Sequence, residues 1–124
     1  MNLINWRKDK RVNITVGISV RIDGAVEHGM SCSNLSAGGM CIRFEGEPPV
    51  GDSGRLWLTK QYQDGVITFE SEFRRLWVKP VDIGSRDMRM GVRFIDMDAE
   101  HRRALNTIIM REESLGEQRG AEHG

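Results

Sequence analysis

An alternating run near the amino terminus constrains the fold more than any other feature of this sequence. Every second residue is apolar from Val12 to Ile22, and the residues between them are polar or glycine. Successive side chains of a strand point to opposite faces, so this run predicts a β-strand with one buried face. Asp23 and Gly24 follow it and predict a tight hairpin, because both residues tolerate positive φ.

The rest of the chain predicts more strands and then one helix. Further strand segments are expected at 25–32, 40–44, 55–60, 66–78 and 88–94. Asp98 can cap a helix, and Leu105, Ile108 and Ile109 form an apolar stripe at helical spacing. This order predicts an all-β fold of five to seven antiparallel strands, in a small barrel or sandwich, with a helix covering an open end or edge.

Length and composition predict one soluble domain. The chain has 124 residues, of which 39% are hydrophobic and 29% charged. No apolar run approaches the roughly 18 residues that a membrane helix needs, and the start does not resemble a signal peptide, so a cytoplasmic protein without membrane insertion is expected. Cys32 and Cys41 lack the spacing of a metal site and are expected to be buried, reduced thiols.

Charge is balanced overall but unevenly placed. Lysine plus arginine number 18, as do aspartate plus glutamate, which disfavours a broad nucleic-acid-binding face. Residues 1–22 carry five positive side chains against Asp9 alone, and a local positive patch of this kind suits a small anion. We divide the chain into a flexible arm at 1–11, a folded domain at 12–111 and a disordered acidic tail at 112–124.

Catalytic patterns are missing from the sequence. The three histidines have no neighbours that would make them ligands or acid–base pairs, and no nucleophile elbow or phosphate-binding glycine loop occurs. The acidic residues Asp96, Asp98 and Glu100 lack the central glycine and the later glutamate of a calcium loop. We therefore expect neither an enzyme nor a metal site.

Two short motifs offer binding chemistry. Arg7 and Arg11 lie four residues apart before the first strand, and guanidinium groups bind phosphate and the guanine O6/N7 edge in a bidentate manner. The second motif is a polar loop that contains Asn34, Ser36, Gly38 and Gly39. Its amide and hydroxyl can bind a ligand, and its glycines permit a tight turn and a close approach. Each motif alone also fits an ordinary surface segment or turn.

Together and in this order, the motifs resemble the PilZ domain family. The pattern RxxxR at Arg7 and Arg11 is followed by NxSxxG, which ends at Gly39, where the family has aspartate or asparagine at the first position. The run MGVRFIDMD at 90–98 is similar to the family's closing strand, and the predicted helix matches its C-terminal helix. The resemblance implies a six-stranded antiparallel β-barrel with a C-terminal α-helix.

The resemblance also implies a function. Many PilZ domains are non-enzymatic receptors for the bacterial second messenger cyclic di-GMP, and the site needs no cofactor. By that resemblance Arg7, Lys8 and Arg11 would contact phosphates and guanine edges, with Lys8 standing where many members have another arginine. The residues Asn34, Ser36, Gly38 and Gly39 would receive the other side of the ligand. The arm at 1–11 is expected to become ordered only when ligand binds.

The sequence also suggests auxiliary contacts, an assembly state and an output, some of them with alternatives. Trp6 can either stack on a guanine or pack as an apolar anchor, and Arg74 or Arg75 is a possible auxiliary contact. The expected state is a monomer or weak dimer that passes the signal to an effector protein controlling motility, pili, exopolysaccharide or biofilm. The alternatives are a ligand-independent PilZ adaptor that acts through protein contacts and, third, a small nucleic-acid-binding barrel.

Overall fold

The computed structural model describes residues 11–14, 18–22, 25–27, 31–46 and 52–123. Eight strands and one helix lie within this part of the chain. They are β1 (Val12–Ile14), β2 (Ile18–Ile22), β3 (Ala25–Glu27), β4 (Cys32–Leu35), β5 (Gly39–Glu45), β6 (Ser53–Tyr62), β7 (Gly65–Pro80), β8 (Asp87–Ile95) and α1 (Ala99–His123). The predicted all-β fold with a C-terminal helix is confirmed.

The eight strands form one antiparallel sheet that must curl. Their order is β1-β4-β5-β8-β7-β6-β2-β3, so β1 and β2 are six strand spacings apart. Six spacings in a flat sheet would measure about 28 Å. The four residues from Ile14 to Ile18 can span at most about 14 Å. The sheet therefore bends around until β1, at one edge, comes close to β2, the strand next to the other edge.

This closure explains where the predicted strands differ from the observed ones. The alternating run at 12–22 is divided into β1, which pairs with β4, and β2, which pairs with β6 and β3. The segment at 25–32 is likewise divided between β3 and β4, and eight strand segments result instead of six. The pairing of Ile22 with Ala25 agrees with the predicted two-residue hairpin. A local hydrophobic alternation predicts which face of a strand is buried. It does not predict where the chain stops pairing with one strand and begins to pair with another.

The core lies on the inner face of the curled sheet. The side chains of Leu56 and Leu58 are fully buried, as the alternation predicted, and Phe69 packs edge-on against Phe94 with ring centroids 5.5 Å apart. Helix α1 adds Leu105, Ile108 and Ile109 to the same cluster. Cys32 and Cys41 are free and buried, as expected.

Helix α1 covers an open edge of β7. Strand β8 pairs with β7 only from Glu72 onward, so the first part of β7 has β6 on one side and no strand on the other among the described residues. The His101 ring lies there, and its Nδ1 accepts a hydrogen bond of 3.2 Å from the Glu70 N–H. The helix begins as predicted, because Asp98 Oδ1 accepts a hydrogen bond of 3.0 Å from the His101 N–H. An unpaired strand edge is protected in this way.

The end of the helix differs from the prediction. The expected disordered tail at 112–124 begins inside α1, which continues to His123. Glu112 is buried against the β6–β7 hairpin, where it accepts a hydrogen bond of 2.8 Å from the Tyr62 hydroxyl and lies 4.0 Å from the Lys60 ammonium. The preceding residue, Arg111, forms a two-pronged ion pair with Asp64. These contacts form only in the folded protein, so the acidic composition of residues 112–124 did not predict them.

No helix in the described ranges is both long and apolar enough to cross a bilayer.

Candidate functional site

The polar loop from Asn34 to Gly39, which includes the end of β4 and the first residue of β5, forms one wall of a cleft, and its own hydrogen bonds hold its shape. Asn34 has a φ of 52°, a left-handed conformation that asparagine tolerates better than most residues. Its N–H donates to Asn13 Oδ1 at 2.9 Å. The Ser36 N–H donates to the Gly39 carbonyl oxygen at 2.9 Å, and the Ser36 hydroxyl oxygen accepts from the Gly38 N–H at 3.3 Å. The loop is therefore preformed.

Close contact with β8 requires the glycine at position 39. A Cβ added to Gly39 would overlap the carbonyl oxygen of Val92, which belongs to the neighbouring strand. The Gly38 carbonyl accepts a hydrogen bond of 2.9 Å from the Phe94 N–H, which fastens the loop to β8. Gly39 is needed because of this lack of space, since no positive φ requires a glycine there.

The cleft has a volume of about 750 Å³ and lies on the outer face of the sheet. Five residues singled out by the sequence line it: Arg11, Asn34, Ser36, Gly38 and Gly39. They come from two segments that the pairing of β1 with β4 brings together. The other predicted contacts on the arm, Trp6, Arg7 and Lys8, lie outside the described residues. The structure thus joins the end of the first motif to the whole of the second.

Other residues that the sequence did not single out for binding also line the cleft, and four of them bear on its chemistry. They are Trp77 on β7, Gly91 and Arg93 on β8, and Arg102 on α1. Trp77 pairs with Gly91 across the strands, and an added Cβ at position 91 would overlap the indole ring. The alternation of β8 does predict that Gly91 and Arg93 share the outer face. Only the register with β5 and β7 places that face beside the loop.

The predicted auxiliary arginines do not line the cleft. Arg75 contacts Asp52 twice. Its Nη2 lies 3.5 Å from the Asp52 carboxylate, and its backbone N–H donates a hydrogen bond of 2.8 Å to the Asp52 backbone carbonyl. Arg74 pairs with Arg93 across β7 and β8 and is exposed. An irregularity in the register between Arg75 and Trp77 changes which side chains of β7 face the cleft. Strand bulges commonly redirect a side chain in this way.

The charge of the cleft favours an anion. Arg11, Arg93 and Arg102 contribute three guanidinium groups, and no aspartate or glutamate lines the cleft within the described residues. Guanidinium groups bind phosphate by paired, charge-assisted hydrogen bonds, and an indole offers an apolar face to a flat base. A ligand with both phosphate and purine groups fits this arrangement.

The cleft has little to offer for catalysis. Its hydroxyl and thiol belong to Ser36 and Cys41, and no histidine, aspartate or glutamate of the described chain stands on the wall to activate either. No group of three metal-ligating side chains occurs among the described residues. Burial raises the pKa of the neighbouring Cys32 thiol to about 12, with a smaller contribution from Cys41. That thiol is consequently protonated and unreactive near neutral pH.

Solved structures with this fold include proteins that bind a cyclic dinucleotide. The PilZ domain of YcgR from Escherichia coli, solved with c-di-GMP, aligns with a TM-score of 0.62 and 18% identity, over 90% of this chain and 94% of that one. The Bacillus subtilis inhibitor of motility, MotI/DgrA, aligns with a TM-score of 0.61 and 18% identity over 84% of this chain. The Borreliella burgdorferi PlzA protein, in complex with c-di-GMP, aligns with a TM-score of 0.50 and 12% identity over 98%.

These similarities establish the fold, and a family model establishes the family. This chain spans half the length of the MotI/DgrA and PlzA chains. No curated protein matches the sequence closely enough to count as a relative. The model of the PilZ domain matches residues 5–111, which is most of the sequence and includes both motifs. The chain therefore belongs to the PilZ domain family.

Proposed function

We propose that this protein is a non-enzymatic receptor for cyclic di-GMP. The observation that carries the proposal is the cleft, in which Arg11 and the loop from Asn34 to Gly39 meet Trp77 without any acidic side chain of the described residues. Family membership supports the choice of ligand, and two of the similar structures were solved with c-di-GMP. Cyclic di-GMP has two phosphates and two guanines, which match the arginines and the indole.

Each group in the cleft has a role in this proposal. Arg11, together with Arg7 and Lys8 from the preceding arm, binds phosphate and the O6/N7 edge of guanine. Asn34 presents its amide side chain, and Gly38 and Gly39 allow the ligand to approach the backbone. Ser36 mainly maintains the loop, since its hydroxyl already accepts from the Gly38 N–H and lies 3.4 Å from the Gly39 carbonyl.

The signal passes to a partner protein in this proposal, because the cleft itself performs no chemistry. Arg102 belongs to α1, so a ligand that binds its guanidinium contacts the helix as well as the sheet. One similar structure is an inhibitor of motility, which makes a motility component a reasonable first partner to test. In this proposal the partner protein recognises the ligand-bound state through the surface of α1 and through the arm at 1–11.

Isothermal titration calorimetry with cyclic di-GMP tests the proposal directly. Wild type should bind, and Arg11→Ala should weaken binding by roughly 10- to 150-fold, the effect expected for one charged hydrogen-bonding group. Arg103→Ala is the matched control, because Arg103 is an exposed arginine of α1 outside the cleft. Absence of binding by folded wild type would contradict the receptor and favour the ligand-independent adaptor, to be pursued by identifying its protein partner.

A further inference from the structure

A second, smaller cavity of about 310 Å³ adjoins the cleft on the outer face of the sheet. Cys41 lines both cavities, so they are neighbours on the sheet. Along β5, Gly39 faces the cleft and Arg43 faces the smaller cavity, and these positions are about 13 Å apart. Among the described residues, neither the RxxxR motif nor the NxSxxG motif contributes a residue to the smaller cavity.

The polar groups around this cavity are mainly hydrogen-bond donors. Arg43 and Arg89 line it together with the hydroxyls of Ser31 and Ser33, and no acidic side chain of the described residues does so. Asn13 also lines it, and its Oδ1 already accepts from the Asn34 N–H at 2.9 Å. The remaining hydrogen-bonding group of Asn13 is its NH2, which is a donor. Such a lining matches a group that carries several acceptor oxygens and negative charge.

A row of like charges crosses the sheet at the same place. Arg89 is directly opposite Arg43 on β5 and directly opposite Lys79 on β7. Like charges in such positions destabilise a sheet. Arg43 is partly neutralised by Asp87 at 3.2 Å, and the Lys79 ammonium lies 5.2 Å from the centre of the Trp77 ring. Arg89 makes no ion pair with any described residue, so its charge is available to a ligand.

We propose that this cavity, here called the Arg89 subsite, binds a phosphate group. Arg89 and Arg43 supply the charge, and Ser31, Ser33 and Asn13 supply neutral donors. The phosphate can come from two sources: a phosphodiester of the ligand that occupies the adjoining cleft, or a free phosphate. The first source rests on the proposed function and the second does not. The opposing cations gain stabilisation when the subsite is filled, because the anion offsets their mutual repulsion.

Titration of the full chain with inorganic pyrophosphate, followed by NMR of the arginine Nε–H groups, tests the subsite. Saturable shifts at Arg89 and Arg43 are expected, and Arg89→Gln should weaken binding about tenfold or more. Arg103→Gln is the control, since it removes an exposed arginine of α1 away from both cavities. Arg43→Gln is a second variant in case Arg89→Gln fails to fold. Shifts that do not saturate, or equal losses in Arg89→Gln and Arg103→Gln, would overturn the proposal.

A second titration separates the two sources. If protein saturated with cyclic di-GMP no longer binds pyrophosphate at Arg89, the ligand's own phosphate fills the subsite. If pyrophosphate still binds there, a free phosphate is the occupant. Binding of pyrophosphate at Arg89 by a protein that does not bind cyclic di-GMP would support the subsite while contradicting the proposed function.

Discussion

Trp77 and Gly91 face each other across β7 and β8, and the indole occupies the space that a side chain at position 91 would need. Aromatic residues opposite glycine are a recognised device for covering the gap that a glycine leaves in a sheet. Here the covered glycine also places the indole on the wall of the cleft. Gly91 therefore acts on the site through the ring that lies over it.

Gly91→Ala should weaken cyclic di-GMP binding, because the methyl group would displace the indole. Stacking of a base on an aromatic ring is worth about 1–3 kcal/mol, so a loss of about tenfold is expected. The same change should have no further effect in a Trp77→Ala background, as calorimetry of the four proteins would measure. Gly116→Ala is the control, since nothing lies within 4 Å of its added Cβ. If Gly91→Ala weakened cyclic di-GMP binding equally in the wild-type and the Trp77→Ala backgrounds, this role would be contradicted.

Gly39→Ala should lower the free energy of unfolding, because the new methyl group overlaps the Val92 carbonyl and forces β5 away from β8. Overpacking of this kind costs about 1–3 kcal/mol. Urea denaturation of the variant and of Gly38→Ala measures the difference. Gly38→Ala should change stability by less than about 0.5 kcal/mol, since its added Cβ meets no atom within 4 Å. Equal stability of the two variants would contradict this prediction, because it would show that the loop can move away from Val92 at no cost.

Tyr62 should titrate at unusually high pH, because burial and then its hydrogen bond to Glu112 raise the pKa of its phenol. It is the only tyrosine in the sequence, so phenolate absorbance reports on it alone. Its neutral form is favoured by folding. The stabilisation is therefore complete below the ordinary tyrosine pKa of about 10 and is lost as pH rises above that value. Glu112→Gln should bring the pKa closer to the ordinary value, whereas Glu100→Gln should leave it unchanged.

Cys41 and Cys32 should differ in their response to a thiol reagent and to ligand. Cys32 is completely buried with a pKa raised to about 12, and Cys41 is 7% exposed on the wall of the cleft. Mass spectrometry after mild treatment with N-ethylmaleimide should find modification at Cys41 only, and cyclic di-GMP should slow it. The Cys41→Ala variant should remain unmodified. Modification of Cys41 at the same rate with and without ligand would place the ligand elsewhere.

Local sequence patterns predicted the buried faces of the strands, the start of the helix and the motif residues. The alternation of 12–22 and 55–60 identified the buried faces because a strand repeats every two residues whatever its neighbours are. Asp98 and the apolar stripe from Leu105 identified the helix and its start for the equivalent local reason. The motif residues Arg11 and Asn34–Gly39 were also found from sequence and lie together on one wall.

Long-range contacts decided what remained. The alternation of 12–22 could not show that β1 and β2 join different neighbours, and the acidic composition after 111 could not show that Glu112 is buried beside Lys60. Arg93 and Arg102 enter the cleft because of the register of β8 and the packing of α1, and Trp77 does so because β7 is irregular before it. By itself the sequence determined the apolar face of the strands and of the helix, and which short motifs are candidates for binding an anion, because those patterns depend on near neighbours along the chain. Only the tertiary structure decided which distant side chains share the site, because that depends on how the sheet closes.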